Sequence, residues 1–328
     1  MVDHVEVARA ARASSLRLRM CVLGLLACLC IGLFMLIGVQ GDWGFVLPLR
    51  ARKVLTLLLV GYAIAVSTVL FQTVTENRIL TPAVMGFDAF YVLIQSTLIF
   101  LLGSHWMSVV DPRLMFAVQV LLMVGFSGML YWLLFSGSRR SLHLLVLTGV
   151  VLGVLFRSLA SFIQRLINPS EYAFLQDRFF ASFNNPDQSL LALALLIVVA
   201  VSLWGVRWLH ACDVLTLGRD TAIGLGVEHA RTVIRLLVVI AVLTSVATAL
   251  VGPVTFFGLL VSHLAYRLLP THRHALLLPS AALIGVICLL GGQMLLEQAF
   301  AFDTNLRVII DFLGGITFIL LLMRGGAR

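Results

Sequence analysis

Apolar runs of about 20 residues recur along this 328-residue chain, beginning near Met20, Val54, Pro82, Leu114, Leu142, Leu190, Thr232 and Ala275. Each is long enough to carry a helix across about 30 Å of hydrocarbon. Inside a bilayer every backbone N–H and C=O must be paired within the chain, and only helices or closed barrels achieve that. Runs of this length belong to helices. Two further stretches are less regular: Phe256 to Leu269 is short, and Asn305 to Met323 carries Arg307 and Asp311. The expectation is an all-α polytopic membrane protein with about ten transmembrane helices, of which the eighth is too short to cross unless broken or tilted. A soluble domain is excluded by 61% hydrophobic and 12% charged residues and a mean hydropathy of +1.06, against a usual apolar share of about half.

Arginines 9, 12, 17 and 19 precede the first apolar run, which continues to Val39 with no convincing small-residue cleavage site. It reads as a retained first helix rather than a signal peptide. Residues 1–19 are then a cytoplasmic N-terminal tail and 20–328 a single transmembrane domain with both termini cytoplasmic. Cytoplasmic segments would hold about 15 Lys and Arg residues and external ones about 7, as the positive-inside rule requires. The net charge of +8 is scattered over loops, so it reads as a topology signal and membrane-lipid contact, with no nucleic-acid partner. Cysteines 21, 28, 30, 212 and 288 sit in or beside apolar runs without metal spacing and read as packing residues.

Lys53 is the one lysine and no glycine-rich loop precedes it, so no phosphate cradle exists and the chain is not itself a P-loop ATPase. HExxH, a strand-turn-helix GxSxG and clustered His and carboxylate ligands are absent as well. Transport is what remains.

Three segments carry the chemistry of that task. LGRDTAIGLGV, residues 217–227, is a polar island between two spans. Gly218, Ala222 and Gly226 recur every four residues there, so a helical segment would present a smooth face for close packing; the alternative is a helix-turn-helix with glycine caps. In GPVTFFGLLVSHLAYR, residues 252–267, Gly252 and Pro253 end one helix and allow a tight reversal, so the next begins inside the protein. Thr81 and Pro82, within ENRILTPAVMGFD (76–88), mark a matching break. Irregular backbone at membrane depth survives where it is buried in protein or lines a cavity. His263, a lone histidine near a helix end, reads as a packed residue rather than a ligand.

These segments resemble the membrane-spanning permeases of bacterial ABC importers for ferric siderophores, haem and cobalamin, over roughly Pro48 to the carboxyl terminus. Asn77, Pro82 and Gly86 fit the family's first motif, with Arg78 where a proline is usual. Leu217, Gly218, Ala222, Leu225 and Gly226 fit LGxxxAxxLGV without a gap. Gly252, Pro253 and Gly258 fit the third, with Ser262 in place of a proline. The resemblance implies a type II ABC importer permease fold, with 217–227 as cytoplasmic coupling helices seated in a cleft of an ATPase. It implies two ATP-binding subunits, a periplasmic substrate-binding protein and a second permease subunit, either a second copy or a homologous subunit, with the homologous heterodimer favoured. ATP and Mg would be used by the ATPase partner, with no cofactor or metal bound by this chain and no enzymatic activity of its own.

Arg50 and Lys53 fall on the positions that receive acidic side chains of the binding protein in these permeases; the alternative is that they snorkel to headgroups. The family's further basic residue near the end of the ninth helix is replaced by Glu297, and the Pro-Val-Gly that starts its last helix by Asn305, Leu306 and Arg307. Asn77, Pro82, Gly86, Asp88, Gly252, Pro253 and Gly258 are the expected path residues. Arg157 joins them because an arginine at membrane depth faces a bundle interior, a partner or a water-filled cavity, and Gln95 is a weaker candidate. Residues 168–188, with Tyr172, Phe179, Phe180 and Phe183, are too polar to cross and read as an external interfacial helix. The cargo expected is a ferric siderophore of catecholate type in a bacterial inner membrane. Haem, cobalamin and an ion-coupled secondary transporter are the alternatives.

Overall fold

The computed structural model describes residues 2–37, 42–135, 142–179, 183, 187–299 and 306–325. Phe180 and Asn305 lie outside them. The described residues form thirteen helices. In chain order these are α1 (Val2–Leu36), α2 (Trp43–Val74), α3 (Phe87–Val109), α4 (Pro112–Phe135), α5 (Leu142–Leu166), α6 (Pro169–Phe179) and α7 (Gln188–Val206). There follow α8 (Leu209–Leu215), α9 (Arg219–Gly224), α10 (His229–Val251), α11 (Phe257–Leu268), α12 (His274–Ala299) and α13 (Leu306–Gly325). Eight of them, α1 to α5, α7, α10 and α12, are long and apolar enough to span a membrane. The twelve-residue α11 reaches about 18 Å, little more than half the hydrocarbon thickness, as its sequence length requires. The twenty residues of α13 hold the last irregular stretch. The first helix begins at Val2, so the basic tail is a continuation of α1 rather than a separate segment.

α2 is the most buried of the eight and packs between α10 and α12. Without a hydrophobic drive between helices in lipid, such packing depends on close approach of small residues. Here Gly61 and Gly285 meet: a Cβ at Gly285 would lie 2.8 Å from the Gly61 carbonyl oxygen. Asp42 starts α2 by accepting from the Gly44 amide at 3.0 Å, an ordinary N-cap.

α3, α4 and α5 are joined by a ring cluster in which Phe90 lies 4.6 Å from Phe126 and 5.0 Å from Phe156, a contact geometry that favours aromatic pairs. α3 breaks at Gly103, whose φ of 78° is non-helical. Glu171 of α6 takes up the amide this frees, accepting from Ser104 N at 2.8 Å and Ser104 Oγ at 3.1 Å. α6 is therefore tied to α3. Phe179 and Phe183 are buried and Tyr172 is exposed, so these three aromatic residues of 168–188 do not share one exposed stripe. Leu175 shares the packed face with Phe179, against Ile99 and Met107 of α3.

Candidate functional site

Both backbone breaks are present, and they meet. Thr81 is extended, Pro82 opens a 3-10 turn over Pro82–Met85, and Gly86 at φ 91° starts α3. Pro82 suits this place because its fixed φ fits a first helical turn and its missing N–H is not needed there. Gly86 is pressed onto α5, where a Cβ would lie 2.9 Å from the Gly153 Cα. On the other side Gly252, at φ 88°, ends α10, and residues 253–256 lead into α11. Pro82, Ala83, Asp88, Thr255 and Gly258 from the two breaks face Ser67 and Thr68 of α2 and Thr244 and Thr248 of α10. About 20 Å³ remains free between them. A Cβ on Gly258 would collide with the Thr68 hydroxyl, so only glycine allows α11 to approach α2 there.

A charged network stitches the junction. The Thr255 hydroxyl donates to Asp88 Oδ2 at 3.0 Å. The Phe256 amide donates to Asp311 Oδ1 at 3.4 Å, and Arg307 Nε donates to Asp311 Oδ2 at 3.3 Å. Arg307 Nη1 reaches the Phe179 carbonyl at 2.6 Å. Gly314 lets α13 close onto Phe256. The departure at the start of the last helix thus has a structural role: Arg307 and Asp311, one helical turn apart, anchor α13 to the 252–256 break and to the end of α6. Asp88 also lies within the field of Arg157. Arg157 itself is exposed on α5, away from this chain's bundle interior.

The two replaced prolines also meet. Gln72 Nε2 donates to the Arg78 carbonyl at 2.7 Å and to Ser262 Oγ at 3.0 Å, and the Arg78 guanidinium lies 4.7 Å over the Tyr266 ring, a cation–π contact. Asn77 stands apart, its Oδ1 accepting from the Ile79 amide at 3.0 Å in a turn. Gln95 is buried and donates to Tyr91 Oη. His263 is half-buried on α11.

Residues 217–227 do not form one helix, which corrects the smooth-face reading. Gly218 at φ 92° and Gly226 at φ 86° are turn residues on either side of the six-residue α9, and Ala222 is turned into the protein. Two glycines at positive φ, eight residues apart with a short helix between them, mark turns, not a stripe. What the segment presents outward is apolar: Leu217, Ile223 and Leu225 are 59%, 51% and 61% exposed. These three large apolar side chains stand open beside exposed Arg219 and Asp220, an apolar surface that a partner protein can cover.

The preceding helix is firmly seated. Cys212 of α8 is buried, and burial, with the neighbouring Asp213 carboxylate, pushes its thiol up to about 12. At pH 8 the thiolate, the reactive form, is then on the order of one in ten thousand. Cys212 is expected to resist maleimide at that pH in the folded protein and to react fully on unfolding, as read by mass spectrometry.

At the other end of the bundle, Arg50 Nη1 caps α1 by donating to the Phe34 and Ile37 carbonyls at 2.7 and 2.6 Å, where a cation complements the helix terminus. Lys53 Nζ lies 3.3 Å from Glu297 Oε1, and both side chains keep some exposure. The unexpected carboxylate at 297 and the expected cation at 53 are therefore partners, on a surface that solvent reaches.

Sequence reasoning did not single out Thr68, Thr255 or the buried contact of Asp213, His274 and Thr73. Hydroxyls inside apolar runs leave little trace, but Asp213 and His274 at the margins of spans are visible as polar residues where none is needed for solubility.

Broken spanning helices that meet at a polar junction, with an exposed apolar segment at one end, fit a membrane permease. The model of the FecCD transport family matches residues 21–324, and the chain belongs to that family. It is 47% identical over 299 residues to the petrobactin import system permease protein YclO of Bacillus subtilis, covering 91% of this chain and 95% of that one. It is 33% identical to the petrobactin import system permease protein FatC of Bacillus anthracis, over 84% of this chain and 78% of that one. In fold it matches an inward-facing metal-chelate type ABC transporter with a TM-score of 0.82 at 20% identity, covering 94% of this chain and 99% of that one. The protein is thus a multi-pass transport subunit of an ABC importer, which works with a second permease subunit, ATP-binding subunits and a substrate-binding protein.

Proposed function

We propose that this chain is the permease subunit through which a ferric siderophore of catecholate type enters the cell. The observation that carries the reading is the 47% identity, over nearly the whole chain, to a permease named for petrobactin import. The polar junction of α2, α3, α10, α11 and α13 would form part of the path wall, opened and closed as two permease subunits move. Arg157, open on α5, would face the shared cavity and attract an anionic complex. Leu217, Ile223 and Leu225 would seat in the ATPase on the cytoplasmic side, with both chain termini on that side. Lys53 and Arg50 would lie on the outer side, where the binding protein docks. Because Glu297 already occupies Lys53, a homologous second permease carrying its own basic residue, rather than an identical copy, would complete the docking surface.

The test is uptake of radiolabelled ferric catecholate by iron-starved cells lacking the chain, restored with wild type or with Gly226→Leu. Loss of uptake restored by wild type alone supports the reading; normal uptake without the chain, in cells with no second importer, removes the catecholate cargo and turns attention to haem and cobalamin.

The docking surface makes its own prediction. Charge at an interface rim acts mainly on encounter rate. Lys53→Glu is expected to slow association of the binding protein by about ten-fold at low salt, measured by stopped flow, with the difference shrinking as salt rises. An unchanged rate would favour headgroup snorkelling.

A further inference from the structure

We propose that Asp213, His274 and Thr73 form a strut that carries movement of the 217–227 segment into the core helices, Asp213 and His274 acting as positioning residues. The inference rests on the reading of 217–227 as the surface an ATPase covers.

The three residues come from three elements. Asp213 is in α8, His274 is the first residue of α12 and Thr73 lies in the last turn of α2. Asp213 Oδ1 stands 2.7 Å from both the His274 backbone nitrogen and the ring Nδ1. One carboxylate thus caps α12 from another helix and fixes the imidazole. Because a carboxylate only accepts, Nδ1 carries its proton, and the second ring nitrogen is aimed elsewhere. Nε2 lies 2.8 Å from Thr73 Oγ1. The His274 side chain is 1% exposed and that of Asp213 31%, so the ring is shut off from water while the carboxylate stays open on one side. Thr73 Oγ1 also lies 2.9 Å from the Val69 carbonyl, and the buried part of such a network is stiff.

The strut has a turn on one side and a rigid core on the other. Three residues beyond α8, Gly218 at φ 92° turns the chain into α9 and the exposed leucines. On the rigid side, buried Cys212 seats α8, and α12 and α2 are locked together where Gly285 meets Gly61. Thr68, five residues before Thr73 on α2, abuts Gly258 at the junction of the two breaks. A load on Leu217, Ile223 or Leu225 therefore has a continuous packed route through α8 to α12, to α2 and to the junction. Plain helix capping would explain the backbone contact alone. It would not require the ring to be held by the same carboxylate and pointed at α2.

The test uses the complete importer in vesicles, with Ala83→Cys as a reporter at the junction and native cysteines as the blank. Labelling by a charged thiosulfonate is measured without nucleotide and with ATP and vanadate. In the otherwise native chain the rate is expected to change by at least about five-fold, the lower end of ordinary allosteric coupling. Asp213→Ala and His274→Ala are expected to abolish that change while ATPase assembly and basal hydrolysis persist. Asp213→Asn, which keeps an acceptor oxygen, should retain part of it.

A full nucleotide response in Asp213→Ala would overturn the strut, as would the absence of any response in the native chain. Parallel loss of assembly, hydrolysis and response in all three variants, Asp213→Asn included, would reduce the contact to a structural one and overturn it too. Cross-linking from Leu225→Cys to the ATPase and siderophore uptake by the same vesicles separate these results from a failure of the coupling surface or of the cargo.

Discussion

Gly86→Ala is expected to abolish transport and to destabilise the folded chain by about 2–5 kcal/mol. Two costs combine. An L-residue at φ 91° meets a backbone penalty of about 1–2 kcal/mol, and an inserted methyl in a packed site costs about 1–3 kcal/mol. The methyl has nowhere to go, because its neighbours are the Gly153 Cα at 2.9 Å and the Gly149 carbonyl oxygen at 3.1 Å, both backbone of α5. Relief requires α5 to move away from the 3-10 turn, which displaces Asp88 from Thr255. Gly125→Ala is the control: it sits in α4 with nothing near its Cβ, and should be neutral or slightly stabilising. Uptake in cells and thermal unfolding in detergent read both variants. Wild-type uptake by Gly86→Ala would mean that the turn does not hold the path wall.

Asp311→Ala is expected to cut transport by at least ten-fold and to cost about 2 kcal/mol. That is less than for a fully buried pair, because about a quarter of each partner remains accessible. Its loss strands the Arg307 charge and leaves the Phe256 amide without its acceptor. The double variant Arg307→Ala with Asp311→Ala separates these effects. Removing both charges restores much of the stability, yet transport stays low because the 252–256 break is still unanchored. Recovery of transport in the double variant would assign the whole effect to the stranded charge.

Much of the fold was legible from run length alone, since a bilayer admits few alternatives to a helix of about 20 apolar residues. The Gly252–Pro253 break and the Pro82 break were equally plain, because proline and glycine act locally. What escaped depends on distant partners. The bend at Gly103 lies inside an apolar run and is stabilised by Glu171 from another helix. Lys53 and Glu297 are 244 residues apart, so each was visible but their pairing was not. The segment 217–227 misled for a different reason: a spacing of four fits a helical face and equally fits two turn glycines flanking one short helix. Only the dihedral angles separate the two. Arg307 and Asp311 were seen as irregularities in a span, although their spacing of four already allowed an ion pair.

The most direct test is transport by the purified importer in sealed vesicles, loaded or not with ATP, with the binding protein and labelled ferric catecholate outside the membrane. The account predicts accumulation only when ATP, Mg and the binding protein are all present, and none from a proton or sodium gradient. Accumulation driven by an ion gradient without ATP would contradict it.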